Sequence, residues 1–315
     1  MASHTRHSTP LSVRRPLRLI FAASLLSMLL TGCLTSSKSV QLRAIKLVGD
    51  TYGFTEGPIW DAARQRFLFS DIPNNKIYAL TADSEVSVVD SESGYANGVA
   101  VDKNGNVWAA RHDRKVSYTS PTGKKVIVAE SYNGHKLNSP NDIVIAQDGS
   151  VWFTDPPFGI QGYGPSKAEE EQPVRGIYQF ENGSVVLRNG ALKLPNGIAF
   201  SPDASALFVA DTADGYVYRF DVNQGALKNR RKFAIVDPGA SKAKLEPTVD
   251  GLDVDSKGNL FVAGPGGLGV FSKDGTQIGY YPIDASHISN VAVGGPNGDQ
   301  LLVTASNKVF LFEIY

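Results

Sequence analysis

Leu194-Pro195-Asn196-Gly197-Ile198-Ala199-Phe200, then Pro202-Asp203, then Leu207-Phe208-Val209-Ala210, carries the plan of the whole chain. One polar residue, Asn196, opens a short apolar run, a turn signal follows, and a second apolar run begins eleven residues after the asparagine. Short runs of this kind joined by Pro, Gly, Asn and Asp read as β-hairpins. The unit recurs five more times, opened by Glu56, Asn97, Asn141, Asp250 and Asn290, with second runs starting at Phe67, Val107, Val151, Leu260 and Leu301. The openings lie 40–55 residues apart, which leaves room for four short strands per repeat. That period predicts an all-β fold, a six-bladed β-propeller with four-stranded blades. A sandwich with accidental periodicity is the rival, and it leaves the shared register of six repeats unexplained.

After Asn290 only three strands fit, starting at Val291, Leu301 and Val309. Gln41–Val48 is the expected fourth, closing the ring and removing its exposed edges. No amphipathic helix is expected after residue 40, and the polar run Ser166–Gln172 reads as a loop.

Residues 1–18 carry Arg6, Arg14, Arg15 and Arg18 and no acid, and Leu19–Leu30 is a predominantly apolar stretch of twelve. Apart from Ser24 and Ser27 the run is apolar, the layout of a secretory signal, and it is too short to span a bilayer as a helix. Leu30-Thr31-Gly32-Cys33 resembles the lipobox of bacterial lipoproteins, and Cys33 is the only cysteine of the 315 residues. The expectation is a signal peptide over 1–32, a lipidated Cys33 with a tether over 33–40, and a propeller over 41–315. An ordinary signal peptide or a short anchor is the alternative. The resemblance implies a lipid-anchored periplasmic protein of the cell envelope. The outer membrane is favoured because Leu34, not Asp, follows the cysteine. Loss of 1–32 would remove four of the 31 basic side chains and none of the 31 acidic ones. The remainder is mildly acidic and has no basic patch, so nucleic acid is not an expected partner. A monomer or weak oligomer acting on a small molecule is expected, meeting the membrane only through the lipid.

In a propeller the six opening residues converge on the central axis. Two carboxylates and four amides there would be costly to bury without a cation. All-oxygen ligation favours Ca²⁺, with Mg²⁺, Mn²⁺ or Zn²⁺ as alternatives. The competing reading is that Asn and Asp only cap turn amides. For Asn97 and Asn290 the two readings stand level, whereas Glu56 is a poor turn former.

Glu56-Gly57-Pro58-Ile59-Trp60, Lys136-Leu137-Asn138-Ser139-Pro140-Asn141-Asp142, Trp152-Phe153-Thr154-Asp155-Pro156-Pro157-Phe158-Gly159, Leu194-Pro195-Asn196-Gly197 and Asp250-Gly251-Leu252 together resemble the gluconolactonase and senescence-marker-protein (regucalcin-like) family. The resemblance runs from about residue 45 to the end of the chain. It implies a tunnel metal, commonly calcium, held by Glu56, Asn141, Asn196 and Asp250, with Asn97 and Asn290 behind the ligands or along the wall. It implies a metal-dependent hydrolase opening a sugar lactone or similar small ester. Asp250 is the expected general base, and His112 orients substrate or shuttles a proton. Asn97, Lys136, Asn138 and Asp155 are the expected substrate contacts, with Lys136 standing where the family often has Arg. His287 reads as a loop residue, Asp155 and Asp211 as turn caps, and Asp253 as facing the blade or a structural ion. The rivals are a phosphotriesterase-like hydrolase and a non-catalytic calcium-stabilised binding propeller.

Overall fold

The computed structural model describes residues 40–239, 245 and 248–315, so the expectations for the signal segment and Cys33 lie outside the described residues. Six four-stranded antiparallel sheets are present, as the repeat predicts. The first blade runs Thr55–Asp61, Arg66–Asp71, Lys76–Thr81, Val86–Asp90 in sheet order. Its first two strands are largely buried and its fourth is exposed. Blades two to five repeat the plan, their first strands being Ala96–Val101, Ile143–Ile145, Pro195–Phe200 and Leu252–Val254. The sixth takes Asn290–Gly294, Gln300–Ala305 and Lys308–Ile314 from the end of the chain and Leu42–Gly49 from its start. Leu42 pairs with Ile314, and Gln41 and Tyr315 exchange backbone hydrogen bonds of 3.1 and 3.0 Å. Two small features go beyond the sequence reading: a hairpin of Ser131–Tyr132 with His135–Lys136, and a π-helical turn over Gly159–Tyr163.

The core lies between blades. Leu68 and Ala79 of the first blade pack on Val99 and Ala109 of the second, and Phe208 and Val217 of the fourth join Leu252, Val262 and Phe271 of the fifth. Each fully buried Leu or Phe contributes about 1.5–3 kcal/mol. The same residues therefore hold the ring together and fix how neighbouring blades meet at the axis.

Two carboxylates, the buried Asp142 and the half-buried Asp253, add staples across these seams. Asp253 of the fifth blade accepts the Val293 N–H of the sixth at 2.8 Å and its neighbour Val254 N–H at 2.7 Å. Asp142 of the third accepts Ile198 N–H of the fourth at 3.0 Å and Ile143 N–H at 2.9 Å. Asp253 therefore faces the blade seam. Asp253→Ala strands two half-buried donors, an expected cost of roughly 2–4 kcal/mol. A calorimetric scan should show Tm lower by on the order of 5–10 °C. An unchanged Tm would mean the N–H groups find other partners.

Candidate active site at the tunnel mouth

The opening residues reach the axis through a local device. In the first, second and fourth blades the first strand carries one extra residue beside the opening position: Glu56 pairs with Ser70 but Ile59 with Leu68, and the register slips likewise between Ala96 and Val99 and between Pro195 and Ile198. Such a bulge re-aims one side chain, here into the tunnel. Hydroxyls from the second strands pin the neighbouring opening residue by its backbone: Ser70 Oγ donates to Asn97 O at 2.7 Å and Thr154 Oγ1 to Asn196 O at 2.8 Å.

The glycine after the opening residue is there for room. Gly57 has φ of 45°, and a Cβ on it would overlap the backbone carbonyl of Asn97. A Cβ on Gly197 would lie 2.5 Å from Asp250 O and 2.7 Å from the Gly251 Cα. The Asn-Gly and Asp-Gly pairs are thus close-approach points between blades.

One cavity at the tunnel mouth is lined by Glu56, Asn97, His112, Asn141, Asn196, Thr212, Asp250 and His287, with Phe54, Ile72, Phe158 and Tyr163 as its apolar wall. Asn290 is absent from this lining. Its Nδ2 donates to Glu56 Oε2 at 3.1 Å and its Oδ1 accepts Val291 N–H at 2.8 Å, so it steadies Glu56 from behind. Asn196 is fixed differently. Thr212 Oγ1 spends its proton on Val249 O and so accepts from Asn196 Nδ2 at 3.1 Å, which turns Asn196 Oδ1 the other way. Asn196 Oδ1, Asp250 Oδ1 and Asn97 Oδ1 are buried without a hydrogen-bond partner. Buried acceptors in that state call for a ligand, water or ion.

This donor set fits a hard divalent cation. Among the described residues no three His, Cys, Asp or Glu side chains cluster as a metal-binding group, so a histidine- or thiolate-rich centre does not match. Two carboxylates with amide oxygens do match calcium chemistry.

Sequence reasoning undervalued His287. Its Nε2 lies 2.6 Å from Asp250 Oδ2, its ring stacks on Phe54 at 6.0 Å, and its side chain is 43% exposed. His112, by contrast, is buried with both ring nitrogens engaged, by Asn97 Nδ2 and by the Tyr163 carbonyl, each at 3.1 Å. Three expected substrate contacts stand apart from the cavity lining. Lys136 is exposed on the small hairpin, its N–H bonded to Glu171. Asn138 and Asp155 are fully buried and bracket each other, Asn138 N–H to Asp155 Oδ2 at 2.8 Å and Asn138 Nδ2 to Asp155 O at 3.1 Å. Asp211 sits likewise over Lys193 and Leu194 N–H at 2.8 and 2.9 Å.

Burial raises Glu56 well above the usual carboxylate range, and the nearby Asp250 adds to it. Burial likewise lifts Asp142 and Asp155 to about 7 and Asp253 to about 6. The hydrogen bond it donates to Asp250 raises His287, while burial lowers His112 to about 4. The signs set a pH dependence. Carboxyls with raised folded values impose a cost that is absent below their unfolded values and complete above their folded ones. His287 stabilises below its unfolded value and ceases to as pH rises through its raised folded one. His112 acts oppositely, losing stability as pH falls from 6.5 towards 4. Metal-free protein is therefore expected to lose Tm from about pH 4 to pH 7, where Asp142, Asp155 and Asp253 outweigh the opposite contribution of His112. Saturating calcium should flatten that slope by neutralising Glu56 and Asp250. Melting curves across pH with and without chelator check this, and parallel curves would place no cation at these carboxylates.

Comparison with known proteins identifies the family. The model of the SMP-30/gluconolactonase/LRE-like region matches residues 54–307. A gluconolactonase of Zymomonas mobilis is 31% identical over 84% of this chain and 80% of its own length. The solved gluconolactonase of Xanthomonas campestris superposes with a TM-score of 0.78 at 29% identity, covering 88% of this chain and 90% of that one. Regucalcin of Agrobacterium tumefaciens, described as a calcium-binding protein, shares the fold with a TM-score of 0.70 at 20% identity, over 85% and 93% of the two chains. The match over nearly all six blades means that this chain belongs to the SMP-30/gluconolactonase/LRE-like family.

Proposed function

We propose that the protein is a lactone hydrolase working at the tunnel mouth with a divalent cation, calcium first among the candidates. The observation that carries this reading is the set of buried, partnerless oxygens on Asn97, Asn196 and Asp250, in one cavity with Glu56 and Asn141. The likeness to gluconolactonases supports the reaction class, and the calcium-binding relative supports the choice of ion. Glu56, Asn141, Asn196 and Asp250 would hold the cation. When bound it supplies polarisation of the lactone carbonyl and offsets the two carboxylates.

The chain's own residues supply the remainder. Phe54, Phe158 and Tyr163 form an aromatic wall, with Tyr163 edge-on to both phenylalanines at 5.8 and 6.4 Å. That wall covers one face of the substrate ring and limits water. No lysine or arginine lines the cavity among the described residues, which suits an uncharged lactone. Asp250, which lines the cavity, takes a proton from the attacking water at Oδ1, the oxygen without a partner, while His287 steadies Oδ2. The water oxygen bonds to the carbonyl carbon, the ring C–O bond breaks, and the ring oxygen leaves as a hydroxyl carrying the proton back.

Hydrolysis of glucono-1,5-lactone in a pH-stat, corrected for the spontaneous rate, tests the reading. Chelator-sensitive turnover is the expected result. Absence of turnover on this and a panel of other lactones would overturn it. The Cys33 tether would keep this activity in the cell envelope, and we propose that it is made. A lipid mass on Cys33 that disappears in Cys33→Ser checks it.

A further inference from the structure

Asn97 is the opening residue whose amide has an unusual holder. His112 is 2% exposed and sits between the Tyr163 carbonyl and the Asn97 carboxamide. A carbonyl oxygen only accepts, so His112 Nδ1 carries the ring proton. Nε2 of the neutral ring is then a bare lone pair, and only the Asn97 NH₂ can face it. Asn97 Oδ1 has therefore no choice but to turn away from the histidine, and it is one of the buried oxygens without a partner. Asn97 itself is 2% exposed and lines the same cavity as Asn196 and Asp250.

The holder is itself clamped. A Cβ on Gly159 would lie 2.8 Å from His112 Cβ, and one on Gly164 would lie 2.8 Å from His112 O. The turn carrying Tyr163 thus grips the histidine on two sides. Asn290, at the corresponding position of the sixth blade, shows the alternative: its oxygen is consumed by Val291 N–H, and it offers none to the cavity.

We propose that Asn97 presents Oδ1 as a fifth oxygen of the cation-binding set, beside Glu56, Asn141, Asn196 and Asp250, and that His112 is a positioning residue that holds it there. The inference rests on the reading that this cavity takes a divalent cation. On it, the second blade joins the first, third, fourth and fifth in ligation, and only the sixth is left out. His112 contributes through a fixed tautomer and carries no proton in the reaction.

The test uses metal binding alone. Calcium affinity is measured by calorimetry on the folded, metal-stripped protein. Terbium luminescence lifetimes in H₂O and D₂O then count the waters on a bound Tb³⁺. The wild-type protein comes first: if it binds neither ion, the cation reading itself fails. If it binds, Asn97→Ala is expected to weaken calcium by at least about tenfold and to add one water to Tb³⁺. Asn97→Asp, which keeps an oxygen, should bind without the extra water. His112→Phe should weaken calcium several-fold, and His112→Gln, which can donate to the Tyr163 carbonyl, should recover part of that. Should Asn97→Ala not fold, Asn97→Ser serves, its hydroxyl being too short to reach. Wild-type affinity and an unchanged water count in a folded Asn97→Ala or Asn97→Ser protein would overturn the proposal.

Discussion

Asp250→Asn is expected to lower lactone turnover by about 10²–10⁴-fold at saturating calcium. The substitution keeps the shape and keeps an oxygen for the cavity, so the loss isolates the carboxylate. An amide cannot take the proton of the attacking water. It would also meet His287 Nε2, now 2.6 Å from Asp250 Oδ2, with altered donor and acceptor roles. Calcium should still bind, more weakly, because one of the two charges at the tunnel mouth is gone while Glu56 remains. The check is kcat at saturating calcium alongside a calcium titration. Turnover at the wild-type rate would take the proton-acceptor role away from Asp250. His287→Gln should cost less, since that ring steadies the carboxylate without replacing it.

Gly197→Ala is expected to be among the most damaging single methyls in the molecule. The new Cβ would meet only backbone, Asp250 O at 2.5 Å, the Gly251 Cα at 2.7 Å and Leu252 N at 2.8 Å, so no side chain can swing aside. Relief requires the fourth and fifth blades to part, which moves Asp250 and opens a core cluster containing Phe208, Leu252 and Val262. Overpacking of this kind costs about 3 kcal/mol. For a ring of this size that lowers Tm by on the order of 10 °C. Calcium affinity should fall in the same variant, because Asn196 and Asp250 lie on the two sides of the strained seam. A variant with unaltered Tm would show that the blades can part without penalty.

The sequence carried the architecture because the architecture is repetitive. A polar residue, an apolar run, a turn and a second run recur at a steady interval, and each copy is read from local pattern alone. Even the closing strand could be placed, at Gln41–Val48 against an observed Leu42–Gly49, since the last repeat was one strand short. The site was legible only where a residue shares that register. His287 lies outside it, three residues before Asn290, and meets Asp250 across 37 positions of sequence. Nothing in its neighbours announces the contact. Lys136 and Asn138 were placed near substrate by motif, yet the chain turns there into a small hairpin that leaves Lys136 in solvent. The direction of an amide was equally hidden. Asn97 and Asn290 look alike in sequence, and only Thr212-like or His112-like holders, brought in from other strands, decide whether an oxygen faces the axis. The constraint on the glycines after the opening residues is the neighbouring blade, which no local pattern records.

The pairing of Leu42–Gly49 with Lys308–Ile314 gives the molecule a birth order. The strand made first waits for the strand made last. Bringing ends separated by roughly 270 residues together carries a loop-closure entropy of about 5 kcal/mol if nothing between them is ordered. That burden shrinks only as the intervening blades form and carry the ends towards each other. Closure of the ring by this pairing cannot precede synthesis of Lys308–Ile314. A chain interrupted before Lys308 would keep an open seam beside Glu56 and Asn290, so an incomplete copy would be left without a finished tunnel as well as without its final strand.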